Sequence, residues 1–166
     1  TAPALAVTNS SSFYVFPSTA ARVQLVLPGE TAVPGNTGLG RGVSGTPTTQ
    51  QAGVNFPVQV RLTDNFWNLT AASSTIQMTS SDPSDQSTGP WVGYGQDPYS
   101  FIVMGGSTTV NFTLITLSTN TGWTLAASDS DNNASPYPLR FTGFTSNNIK
   151  VVSGVAAKLI TVLPGE

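Results

Sequence analysis

The sequence predicts an all-β fold, a two-sheet antiparallel β-sandwich. Three observations carry that expectation. The run from Val54 to Leu62 alternates apolar and polar residues with a period of two. Glycine and proline, 16 and 12 residues respectively, punctuate the chain closely enough that only short strands fit between them. No segment keeps the three- and four-residue apolar spacing of an amphipathic helix.

Val23 to Leu27 reads as the first strand, stopped by Pro28-Gly29. Residues 28–53 are rich in Gly and Pro and carry neither period, which predicts a long irregular connection or extended crossover lying over a sheet edge. Next, Val54, Phe56, Val58, Val60 and Leu62 alternate with Asn55, Pro57, Gln59 and Arg61, placing five apolar side chains on one face of a strand. Pro57 has no N–H to give to a ladder, so an edge position or a missing bond is expected there. Asp64 to Leu69 forms a turn, and Ser74 to Asp82 a strand with Ile76 and Met78 on one side. After a second loop, residues 82–98, strands are expected over Tyr99–Met104, Thr108–Leu117 and Gly122–Asp131, with Val110, Phe112 and Leu114 sharing a face. Pro138–Phe144 and Asn148–Val155 supply a closing pair. About seven short strands without a helix is the pattern of a sandwich.

A phrase near the start returns at the end. Ala20-Ala-Arg-Val-Gln-Leu-Val-Leu-Pro-Gly-Glu30 and Ala156-Ala-Lys-Leu-Ile-Thr-Val-Leu-Pro-Gly-Glu166 agree at seven of eleven positions, with an offset of 136 residues. The same offset sets Phe13–Ala20 against Ile149–Ala156 and the polar bend Thr8–Ser12 against Phe144–Asn148. The strand, its Pro-Gly-Glu turn and its flanks thus share one register, which two unrelated strands of a single domain would not. The expected organisation is a window on a tandem array. Residues 1–19 are then terminal strands of a preceding repeat or a donated strand, 20–155 a complete unit, and 156–166 the first strand of the next.

The order of short motifs adds a resemblance. Leu27-Pro28-Gly29-Glu30, Gly45-Thr46-Pro47, Ala52-Gly53, Phe56-Pro57-Val58, Asp64-Asn65-Phe66-Trp67-Asn68, Thr79-Ser80-Ser81-Asp82 and Ala127-Ser128-Asp129 follow one another as in bacterial immunoglobulin-like (Big-type) tandem repeats of large secreted and cell-surface proteins. The chain resembles that family over most of 20–155. The resemblance implies an immunoglobulin-like sandwich, and the lack of His and Cys makes a non-enzymatic role the expectation. The aromatic, Gly-rich insertion at Pro90–Pro98 departs from the pattern.

Composition excludes several functions. Charged residues make up 8% of the chain, the net charge is −2, and the six basic residues are scattered, so no patch exists to release counterions from a nucleic acid. No apolar run reaches eighteen residues, so no transmembrane segment is expected. With no His and no Cys, neither a Ser–His–Asp nor a Cys–His arrangement can be built, and no disulfide forms. Asp82, Asp85 and Asp97 could supply a carboxylate pair of the kind glycoside hydrolysis needs, but nothing in their spacing sets them across a cleft. A cysteine-free, hydroxyl-rich chain of low charge suits an extracellular or cell-surface setting.

Candidate sites follow. Asp64, Asn65 and Asn68, and separately Asp129, Asp131, Asn132 and Asn133, offer oxygens to a Ca²⁺ ion, but Asp and Asn in such turns ordinarily bond their own backbone, and no cofactor is expected. Trp91, Tyr94 and Tyr99 are candidate contacts for surface glycans, against the plainer reading of a loop capping a sheet with its own aromatics. Trp67 and Trp123 suit core anchors. Asn9, Asn68, Asn111 and Asn133 lie in Asn-x-Ser/Thr triplets, which are frequent by chance in such a composition. The assembly residues expected at the junctions are Leu5, Val7, Phe13, Val15 and Phe16 at one end and Val151, Val152, Leu159 and Val162 at the other. The expected partners are copies of the chain or adjacent repeats of the same polypeptide. The predicted function is an extracellular structural repeat of a fibre, stalk or surface layer, with a carbohydrate-binding or adhesive module as the alternative.

Overall fold

A computed structural model describes residues 9–84, 99–118, 121–130 and 141–154. The described residues form an all-β chain with one short 3₁₀ turn, Thr37–Leu39. Strand β1 is Arg22–Val26, β2 Glu30–Ala32, β3 Val43–Gly45, β4 Gln50–Gln51 and β5 Phe56–Thr63. They are followed by β6 Ser74–Ser80, β7 Tyr99–Val103, β8 Ser107–Phe112, β9 Leu125–Asp129, β10 Phe144–Thr145 and β11 Val151–Val152.

Two antiparallel sheets share one apolar interior. The first runs β1-β5-β8 and the second β10-β9-β6-β7. Period-two alternation drives both: Phe56, Val58, Val60 and Leu62 of β5 are at most 3% exposed and join Val23, Leu25, Val110 and Phe112 from the flanking strands. The second sheet adds Ile76, Met78, Val103, Leu125, Ala127 and Phe144 to the same cluster. Burying each such side chain contributes on the order of 1.5–3 kcal/mol, so this interior is the main stabilising feature.

The turn Leu27-Pro28-Gly29-Glu30 explains why the repeated phrase ends as it does. Pro28 presets the second position, and Gly29 adopts φ 89° with the Glu30 N–H returning to Leu27 O at 2.9 Å. A side chain on Gly29 would meet Thr46 O at 2.5 Å, so glycine is required twice over. Glu30 closes the turn by accepting the Leu27 N–H at Oε2, 3.0 Å, and its Oε1 accepts from Asn147 Nδ2 at 2.6 Å.

Three details differ from the sequence expectation and one follows it. Residues 28–53 contain the β2/β3 hairpin and β4, and they fold over the outer face of the first sheet, where the buried Gln24 donates to Arg41 O and Gly42 O at 3.1 and 2.9 Å. Val54 is 48% exposed and precedes the strand, because Val54 N–H turns back to Gln51 O. At Pro57 the expected missing bond is found: β5 is the middle strand of its sheet, but the β1 ladder ends at Val26↔Gln59, before reaching the proline. The closing run is broken into β10 and β11, and β11 pairs with β4 in parallel.

Candidate functional site: the entry and exit of the unit

The turn after β5 is built around one buried carboxylate. Asp64, 1% exposed, accepts the Phe66 and Asn68 N–H groups at Oδ1, 2.8 and 3.0 Å, and Asn68 Nδ2 at Oδ2, 3.0 Å. Its Oδ2 also accepts the Ser18 N–H at 3.0 Å and, at 3.4 Å, the Ser18 hydroxyl. Burial by itself would raise the Asp64 pKa. The hydrogen bonds from Asn68, Ser18 and Phe66 outweigh it and hold the carboxyl below its ordinary value.

This turn reaches backward and inward. Trp67 takes φ 65°, the only positive φ at a non-glycine residue among the described residues. Its ring is 5% exposed, lies edge-on to Phe144 at 6.0 Å, and carries the Arg22 guanidinium 5.1 Å from its centroid. Gly42 seats against it so closely that an added Cβ would lie 2.2 Å from Trp67 Cγ. Trp67 is thus a core anchor, as the sequence suggested. Trp123 is half-buried and donates its indole N–H to Thr116 O at 2.7 Å.

Upstream of Asp64's contact at Ser18, residues 9–17 run exposed. Phe13, Tyr14, Val15 and Phe16 are 80, 91, 81 and 81% exposed, and among the described residues none of them makes a hydrogen bond. The β-rich run expected there has no strand partner among the described residues. Four successive apolar residues facing water is an arrangement that marks an interaction surface.

At the other end two of the four residues at the matching offset are enclosed. Ile149 and Val151 are each 1% exposed, whereas Val152 is 40% exposed. Ile149 exchanges two backbone bonds with Trp123, at 2.7 and 2.9 Å. Lys150 O and Val152 O accept from Gln50 and Ala52 N–H at 2.8 and 2.9 Å, while the Val151 N–H donates to Ser118 Oγ at 2.8 Å. Leu5, Val7, Leu159 and Val162 lie outside the described residues.

The remaining candidates separate cleanly. Tyr99 stacks on Phe101 at 5.2 Å and both pack against the core, with burial raising the Tyr99 pKa, while Trp91 and Tyr94 lie outside the described residues. Among the described residues no group of three or more metal-ligating side chains comes together. The oxygens of Asp64 are turned to N–H donors, the Asx-turn use of such a residue. Asp129 accepts from Ser74 Oγ at 2.7 Å and from the Phe141 N–H at 3.3 Å; Asp131, Asn132 and Asn133 are outside the described residues. Asp82, 5% exposed, accepts from Ser84 N–H at Oδ1 and from Ile115 and Thr116 N–H at Oδ2, 2.8 and 2.9 Å. Burial opposes its ionisation, but bonds from Thr116, Ile115 and Ser84 prevail and its pKa is lowered; Asp85 and Asp97 lie outside the described residues. Asn9 and Asn111 are exposed, and Asn68 has its amide committed to Asp64.

The Ser18–Asp64 link was not legible in the sequence: the Asp64 turn stands out, but nothing in its letters says that it reaches 46 residues back. No family model, curated protein or solved structure matches this chain in comparisons with known proteins.

Proposed function

We propose that this chain is an immunoglobulin-like structural repeat of an extracellular or cell-surface fibre, stalk or layer, joined end to end to units of its own kind. The strand order supports the fold. Taking β1, β5, β6, β7, β8, β9 and β10 as A, B, C, C′, E, F and G, one sheet is A-B-E and the other G-F-C-C′, with β11 pairing separately with β4.

One observation carries the function. The phrase that forms β1 and its turn recurs at 156–166, shortly after β11, so the exit of one unit is the entry of another. The join is short: between β11 and the repeated phrase stand only Ser153, Gly154 and Val155. At the entry side the corresponding residue to Gly154 is Ser18, which Asp64 holds. A short join anchored to the body of the unit leaves few free dihedrals, and a row of such units makes a semi-rigid rod.

Electron microscopy of the native material tests the proposal. Unbranched beaded rods with a regular axial repeat are expected. Separate globular particles would contradict it.

A further inference from the structure

We infer that Phe13–Phe16 is a strand of the β11 type whose seat is the β4 edge of the preceding unit, entered in parallel with Phe13 and Val15 facing that unit's core. The inference rests on the end-to-end reading and adds to it the strand, its direction and its register.

The 136-residue offset pairs Phe13 with Ile149, Tyr14 with Lys150, Val15 with Val151 and Phe16 with Val152. Within this unit the second member of each pair alternates in environment. Ile149 and Val151 are buried, Lys150 is exposed, and Val152 is 40% exposed. The apolar character of the first set fits that alternation at the inward positions. Further upstream Ser10 matches Ser146, a 2% exposed serine whose hydroxyl accepts the Leu125 N–H at 2.9 Å. A hydroxyl is thus retained at an inward position where it has a bond to make, whereas two residues earlier Thr8 stands against the buried Phe144.

The seat is equally specific. In this unit it offers Gln50 and Ala52 N–H on one side, and Ser118 Oγ and the Trp123 backbone on the other. Here it is filled by residues 149–152. Phe13–Phe16 therefore finds this seat taken on its own unit, and it is exposed there. A unit of the same fold placed before Thr8–Ser12 in the polypeptide has that seat and needs this strand to fill it. Addition of a strand to an open edge supplies main-chain bonds for affinity and alternate side-chain pockets for register.

Site-resolved amide exchange on the native polypeptide tests this. The Phe13 and Val15 amides, which correspond to the bonded Ile149 and Val151 N–H groups, should exchange at least about 100-fold more slowly than in an unstructured chain. Val15→Asp should abolish that protection across the quartet, and Tyr14→Asp should leave it in place. Unprotected amides, or a greater loss from Tyr14→Asp than from Val15→Asp, overturn the inference. Beaded rods with an unprotected quartet would remove this strand assignment and leave the end-to-end reading standing. Protection without rods would keep the strand assignment and remove the array.

Discussion

The backbone N–H of Ser18 donates to Asp64 Oδ2 at 3.0 Å, tying the segment that enters the unit to the turn that follows β5. The bond acts on an exposed segment through a buried group. That makes it the point where the stability of the unit and the direction of its entry meet.

Replacing Ser18 separates the backbone bond from the hydroxyl. Ser18→Pro removes the N–H and should cost about 1.5–3 kcal/mol, the range for a hydrogen bond to a charged group. Ser18→Ala keeps the N–H and loses only the contact at 3.4 Å, so a change within about 0.5 kcal/mol is expected. Urea unfolding of the two variants measures the difference.

Asp64→Ala should be more severe. It leaves the Ser18, Phe66 and Asn68 N–H groups without their acceptor, at a cost of about 2–4 kcal/mol. The entry segment should also be cut faster by protease in this variant. An unchanged urea midpoint would show that the carboxylate is dispensable.

Acid should weaken the fold through two carboxylates. Asp64 and Asp82 have folded pKa values below their ordinary one, so their contribution is present above the unfolded value of about 3.9 and is lost as pH falls through the folded values. The urea midpoint should therefore fall on acidification below about pH 4. Asp64→Asn and Asp82→Asn should each flatten that fall, at the cost of a lower midpoint at pH 7.

Gly42→Ala tests the seat of Trp67. The new Cβ would overlap the indole at a backbone φ of 61°, so overpacking and backbone strain add, and a loss of about 2–3 kcal/mol is expected. Near-ultraviolet circular dichroism should show the indole in an altered environment.

Local pattern made much of the fold legible. Alternation located β5, and the core faces of β6 and β8 followed from Ile76, Met78, Val110 and Phe112. The Pro-Gly-Glu turn was readable because Pro28 and Gly29 have only one comfortable arrangement. What stayed hidden depends on contacts distant in sequence. The hairpin over Gln24 is specified by two carbonyls 17 and 18 residues away, and the parallel β4–β11 pair joins residues about a hundred apart, neither of which leaves a local period. For the junction, the repeat exposed which residues correspond, while their burial at Ile149 and exposure at Phe13 needed the structure.

The mass of the native polypeptide in strong denaturant tests the end-to-end arrangement most directly. A mass far above the 17.2 kDa of this chain is expected, with units joined by continuous backbone. A mass equal to that value would contradict the covalent array.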